Sequence, residues 1–458
     1  MFVVVFLILL LQGRALWGDN GLLPISDFVA QVKWPSLFNY LKADTWIRPL
    51  AFFGLVAGCL MLFGFVNLPI LLVPWLVQLS FVNSGQLFYG YGWEIAILEF
   101  GFLSFFMVPL FDPRLNRGAA PEPPLVVIWA LRWMLFRLML GAGLIKIRGD
   151  SCWHDLTCLV YHYETQPNPH PFSIFFHFMP VWFHQLGVLF NHFVELIVPF
   201  GFFGPRRVRI WAGVLTIIFQ ITIILSGNLA WLNWLTIVLA FSCFDDEFLM
   251  GFSPSSWRIS AVPAAVIPHW RRVLLSFFAL AIIYLSIPPA INLVSSQQAM
   301  NTSYDVWHLV NSYGAFGVIG RERTVVTVEG SQNGQDWTPY GFNCWTGDIK
   351  TRPCLVTPYL HHLDWQMWFS AMRPELQEEW LLRFAVRLLE NDPEVLSLLK
   401  TNPFAAQAPK FIKMDLYRYR FADWEDWPEF WWQRDFIRSY MGPLSLENPM
   451  ARKYARRP

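Results

Sequence analysis

"GAGLIKIRGDSCWHDLTCLVYHYETQPNPHP", residues 141–171, decides the fold. It starts as the end of an apolar helix, passes Lys146, Arg148 and Asp150, and enters a stretch holding Cys152, His154, Cys158 and His162. It closes on "QPNPHP", where each residue before a proline is pushed out of the α region. That segment reads as a stiff, extended loop laid along a surface. The order of chemistry is that of a helix leaving a bilayer: apolar turns in hydrocarbon, charges at the interface, thiols and prolines beyond it.

The bulk composition agrees. The 458 residues are 55% hydrophobic, 17% aromatic and 15% charged, against about 25% charged in soluble domains. The 24 tryptophans suit a bilayer interface, where the ring is apolar and its N–H stays wet. A net charge of +1 gives no footprint for nucleic acid or a strongly acidic partner. A spanning helix needs about 20 apolar residues, and candidates fall at 48–66, 68–83, 92–110, 124–143, 187–204, 208–225, 229–243 and 273–293. Residues 1–12 read as the stub of a further span and not as a signal peptide, since they lack a basic leader and a small-residue cleavage site. The expectation is an α-helical polytopic membrane bundle of about eight to nine spans over 1–303, followed by a β-containing α+β soluble domain over 304–458.

Orientation follows the Lys and Arg of short loops. Arg206, Arg207 and Arg209 in one loop and Arg114 and Arg117 in another go to the cytosolic side. The long loop 144–186 and everything after 293 then face the opposite, lumenal side. Both cysteine pairs, Cys152 with Cys158 and Cys344 with Cys354, thus lie where disulfides form. The Asn301-Thr302-Ser303 sequon lies there too, as a glycosylation candidate. In the soluble half, "RTVVTVEGSQNGQDW" alternates like a strand pair turning at Asn333-Gly334, and 374–400 carries Leu and Val at helical spacing.

Several charges fall inside the spans: Glu94, Glu99, Arg132, Arg137 and Glu195. Each costs roughly 2.5–3.5 kcal/mol at the bilayer centre, so Glu94 and Glu99 are expected to pair with Arg132 and Arg137. Such pairs either fix helix packing or line a polar cavity that binds a ligand or moves protons. Lys146 is expected to snorkel to the interface. The alternative makes it a buried base, with His192 and Glu195 in reach of each other at i and i+3. His177, His184 and His192 recur at seven- and eight-residue steps and read as one helical stripe. The pattern C-x-H-x3-C-x3-H is not a familiar zinc spacing; a structural disulfide involving Cys152 and Cys158, with each other or with Cys344 and Cys354, is the preferred reading, and no metal site is assigned. Free or redox-exchanging thiols are the lesser reading. "RGD" at 148–150 matches an adhesion tripeptide by coincidence. No G-x-S-x-G, Walker loop, G-x-G-x-x-G or H-E-x-x-H occurs, and no cofactor is expected.

The opening stretch, together with "WFHQLGVLFNHFVELIVPF", "SGNLAWLNWLTIVLAFSCFDD", "NSYGAFGVIGRER", "RPCLVTPYLHHLDWQMWFSAM", "NPF", "YRYRF" and "GPLSLENP", resembles the lipase maturation factor family from about residue 68 to 447. The abrupt amino terminus and modest length depart from animal members and suggest a short, divergent or bacterial one. The resemblance implies a multi-pass protein of the endoplasmic reticulum membrane (of the inner membrane, with a periplasmic domain, in a bacterium). Its carboxy-terminal domain would be lumenal, and it would help secreted lipases or similar clients fold and form dimers without being an enzyme itself. A fainter likeness links "MLGAGLIKIRGDSCW" to vitamin K-dependent carboxylase-like membrane enzymes, in which a Lys after A-G-L acts in catalysis. On that alternative Lys146, His192 and Glu195 form a catalytic rim. A transporter or lipid-binding bundle is the remaining alternative.

Overall fold

In the computed structural model, residues 1–111, 122–252, 268–372 and 379–455 are described. Arg114 and Arg117, used above for orientation, lie outside them.

The first apolar run is the helix α1 (Phe2–Trp17). A short α2 (Ile25–Gln31) precedes α3 (Ala43–Leu62). α3 returns antiparallel along α1, and glycines set the spacing. A Cβ on Gly54 would stand 2.5 Å from the Phe6 ring, and one on Gly58 would stand 3.1 Å from Val3. This G-x-x-x-G face lets two helices approach closely where no hydrophobic effect drives them together. Next come α4 (Leu68–Val82), α5 (Gly92–Ser104) and the long α6 (Leu125–Arg148). The loop 149–180 carries α7 (Cys158–Thr165) and α8 (Ser173–His177). The helix α9 (Val181–His192) runs on through a π-helical turn, Phe193–Ile197, into 3-10 geometry to Phe203. α10 (Arg206–Ser226), α11 (Leu232–Ala240), a short α12 (Asp246–Met250), α13 (His269–Leu285) and α14 (Ile287–Val294) complete the helical part.

Among the described residues, five helices can cross a membrane by length and composition: Ala43–Leu62, Leu125–Arg148, Val181–Phe203, Arg206–Ser226 and His269–Val294. Phe2–Trp17, Leu68–Val82 and Leu232–Cys243 are apolar but shorter. Of the about eight to nine spans expected from the sequence, five described helices have full spanning length. α5 is shorter than its apolar stretch 92–110 because its helical hydrogen bonding stops at Ser104.

The carboxy-terminal part opens with the two-residue pair β1 (Thr302–Ser303) and β2 (Asn311–Ser312). A four-stranded antiparallel sheet follows in the order β4-β3-β5-β6, from β3 (Arg323–Ser331), β4 (Thr338–Pro339), β5 (Phe411–Phe421) and β6 (Trp432–Leu444). The expected turn between β3 and β4 carries Gly334 at φ +76°, a value that suits glycine. α15 (His362–Met372) packs on β3, and α16 (Glu379–Leu389) on β5; α17 (Pro393–Leu396) and α18 (Pro449–Arg452) are single turns. Of the helix-like stretch 374–400, residues 374–378 lie outside the described residues and the rest carries α16 and α17. The chain breaks at Asn391, whose φ is +50°, and Asp392 caps α17 by accepting from Glu394 and Val395 amides. Outer-edge strand β6 exposes Arg434, Asp435 and Arg438, which discourages edge-to-edge pairing.

One hydrophobic core runs from the helices into the sheet domain. Phe88 meets Trp380 edge-on at 5.3 Å, and Trp93 meets Trp365 at 5.1 Å.

Candidate functional site

The chain leaving α6 is clamped by the segment 316–321. Gly149 allows this, because a Cβ there would strike the Gly317 carbonyl group. The Asp150 amide donates to Gly317 O at 2.9 Å, and Trp153 Nε1 donates to Phe316 O at 3.0 Å. The Asp150 carboxylate accepts from Cys152 N, Ile319 N and Arg321. Burial opposes its ionisation, but Arg321 and those two amides outweigh burial and hold the carboxyl below its usual range. Arg148 donates to Gln298 Oε1 at 2.7 Å and Leu293 O at 2.8 Å. Gly149 and Asp150 of the "RGD" tripeptide are therefore engaged in docking the carboxy-terminal part, while Arg148 holds α14 and the segment that follows it.

Lys146 does not snorkel. It is 5% exposed in the last turn of α6. Its Nζ donates to both Glu195 oxygens at 2.6 Å and to Asn191 Oδ1 at 3.1 Å, and it faces the Trp153 ring at 5.2 Å. Asn191 Nδ2 closes the triangle by donating to Glu195 at 3.0 Å. His192 lies elsewhere: its Nε2 pairs with Trp153 O at 3.0 Å. The expected His192–Glu195 contact is replaced because the π-turn 193–197 inserts an extra residue and swings Glu195 onto the α6 side. Gly143 receives that turn; a Cβ there would lie 2.9 Å from Glu195 Cβ.

Of the intramembrane charges, Glu99 and Arg137 meet as a buried ion pair. Glu94 and Arg132 do not pair. Glu94 accepts from Gln78 at 2.8 Å and Trp93 Nε1 at 3.1 Å, whereas Arg132 donates to Ser242 O at 2.8 Å. Glu94 sits in the first turn of α5 and Arg132 in the first third of α6, each with a closer partner. Glu99 also accepts from Asn311 N at 2.9 Å and Tyr313 Oη at 2.7 Å, and Arg137 donates to Asn311 O. The pair is thus a socket for β2.

Cys152 and Cys158 form one disulfide, and Cys344 and Cys354 another. The histidine stripe is broken: His177 ends α8, and Pro180 separates it from His184 and His192 on α9. Burial pushes the His177 imidazole down to about 4, with His184 adding to the effect. It therefore stands 3.8 Å from Glu164 as a neutral group. Burial and then the Lys146 charge push His162 down to about 4. Asn301 is exposed, and its Oδ1 accepts from Gly314 N at 3.4 Å.

Two residues that sequence reading passed over tie the parts together. Asn228, 1% exposed in the α10–α11 turn, donates to Pro169 O and Cys354 O and accepts from the Val356 and Thr357 amides. Arg323, stacked between Trp345 and Trp432, donates to the carbonyls of Glu164, Gln166 and Pro167. Burial lowers its guanidinium to about 10, which leaves it charged. The "SGN" break between two apolar runs was the available signal for Asn228; nothing local marks Arg323.

Along the carboxy-terminal half of α6 these elements surround an open cavity of about 1370 Å³. Its walls come from α6, α9, α10 and α11, and residues 314–324 and α15 roof it. Lys146 and Glu195 lie on its wall.

Two family models match the chain: the lipase maturation factor transmembrane domain over residues 1–251 and the lipase maturation factor C-terminal domain over residues 309–442. Lipase maturation factor 1 of Bos taurus is 39% identical over 497 aligned residues, covering 98% of this chain and 87% of the relative. Lipase maturation factor 1 of Mus musculus is 40% identical over 494, covering 98% and 86%. Lipase maturation factor 2 of Xenopus tropicalis is 27% identical over 576, covering 98% and 81%. No solved structure matches the chain.

Proposed function

The chain belongs to the lipase maturation factor family, and on that premise we propose that it resides in the endoplasmic reticulum membrane and helps secreted lipases, or similar client proteins, fold and assemble into dimers. The observation that carries this reading is the alignment over 98% of the chain with relatives named lipase maturation factor 1. That alignment covers the bundle and the sheet domain together.

The five long helices, the three shorter apolar ones and α5 give nine passes in this reading. The amino terminus is then cytosolic, and the loop 149–180, both disulfides, Asn301 and the sheet domain are lumenal. Residues 1–303 form the membrane domain and 304–458 the lumenal one. The client-facing surface is the aromatic rim where the loop meets the β5–β6 hairpin. Phe172 and Trp424 are exposed there, and Phe175 and Phe178 lie tilted against Trp424 at 5.6 and 5.1 Å. Exposed apolar surface held beside the membrane suits half-assembled chains.

The protein is read as a maturation factor and not an enzyme. An ammonium has three N–H donors, and all three on Lys146 have acceptors, so it is built as a structural cation and not as a base. The test is complementation of cells that lack their own factor and carry a lipase reporter. Secreted lipase activity should return with this chain expressed; an inserted chain that restores none overturns the reading.

A further inference from the structure

Three properties of the cavity define an occupant. First, it opens sideways. Leu186 on α9 and Thr222 on α10 both line it, and both are exposed. The two helices touch there through the Phe190 and Phe219 rings at 5.9 Å. What enters between them is what dissolves in hydrocarbon.

Second, it is large and apolar. At about 1370 Å³ it exceeds the range of about 300–1,000 Å³ that holds drug-sized ligands. Leu138, Leu159, Phe176, Phe183, Leu232 and Phe369 line it and leave room for long acyl chains.

Third, its polar groups are neutral in sum. Lys146 and Glu195 satisfy each other, Arg148 is engaged by Gln298 and Leu293, and Glu322 supplies the balancing negative charge while accepting from Arg418 at 2.9 Å. His162 is neutral. A phosphate head would bring a negative charge out of water, which is costly without an unengaged cation. What the wall still offers is the Trp365 indole: its Nε1 is buried and meets no acceptor. The carboxamides of Gln220 and Asn233, also on the wall, are bonded to each other at 2.7 Å. A buried N–H without an acceptor costs about 1–3 kcal/mol, and a carbonyl or hydroxyl oxygen in the cavity removes that cost.

We propose that this cavity binds one uncharged, long-chain membrane lipid with the chemistry of a diacylglycerol. It enters between α9 and α10 and presents its oxygens to Trp365. This site stands independently of any client.

The test is lipid extraction and mass spectrometry on the full chain purified from membranes, beside Ala142→Trp, which fills the cavity, and Thr222→Trp, which blocks its exposed mouth. The expected result is an uncharged lipid class enriched over the bulk membrane and reduced about tenfold, the equivalent of one decade in Kd, in both variants, with both disulfides retained. Thr222 is exposed, so its variant folds even if the buried change does not. Bulk lipid composition, enrichment of a charged phospholipid, or undiminished enrichment in Thr222→Trp would overturn the proposal.

Discussion

Glu99 shows how one buried charge can place a domain. In hydrocarbon its carboxylate needs Arg137, and its remaining lone pairs collect Asn311 and Tyr313 from the carboxy-terminal part. Removing one partner of a buried pair costs about 3–5 kcal/mol, because the other is left charged and dry. Glu99→Leu should therefore lower the detergent-solubilised unfolding temperature sharply, and Glu99→Leu combined with Arg137→Met should recover much of the loss. A second prediction concerns protons. Burial pushes His308 down to about 4, against a smaller opposing pull from Asp305; burial, with His361 beside it, pushes His362 down to about 3. Both stay neutral in the fold, whereas in the unfolded chain they take up protons below about 6.5. Their stabilisation is complete above pH 6.5 and is lost as pH falls toward 4. Tryptophan-fluorescence melting should show that decline. His308→Gln, which keeps a hydrogen-bonding group between Asn83 and Ser303, should flatten it.

At the scale of elements, the loop after α6 is stiffened at one end by Cys152–Cys158 and seated at the other by Asn228 and Arg323. A disulfide contributes typically about 2–4 kcal/mol, and less for a short loop. Cys152→Ala with Cys158→Ala should leave membrane insertion intact and lower secretion of a lipase reporter; unchanged secretion removes the loop from client handling. Asn228→Ala should cost more stability than either cysteine change, since it strands several buried backbone partners at about 1–3 kcal/mol each; the same melting assay measures it. Much at this scale was legible in sequence. The apolar runs, the long loop after α6 and the two close cysteine pairs all stand out, because hydropathy and spacing are local properties. The π-turn was not legible. An extra residue in a helix leaves no compositional mark, yet it decides that Glu195 meets Lys146 and not His192. The pairing of β3 with β5 was equally hidden, because Ser331 and Phe411 are neighbours in space but far apart in the chain.

For the whole molecule, sequence composition divides the chain near residue 304, while side-chain packing joins what composition divides. Trp380 rests on Phe88, Trp365 on Trp93, and His362 on Trp17 at 5.9 Å. Gln12 of α1 donates to Leu360 O at 2.7 Å and accepts from His362 N at 3.0 Å. These contacts join residues hundreds of positions apart, so neither the cavity they roof nor the Glu99 socket could be read from any window of sequence. Their consequence is testable. Residues 304–458 expressed alone would expose Trp365, Trp380 and the rest of that seam to water, a contiguous apolar patch that soluble monomers rarely tolerate. The isolated segment should therefore aggregate or melt without a cooperative transition, whereas the full chain in detergent should lose sheet and helix signals together by circular dichroism. A cooperative unfolding of the isolated segment would mean that the sheet domain owes its fold to its own core. The seam with the helices would then set only its position.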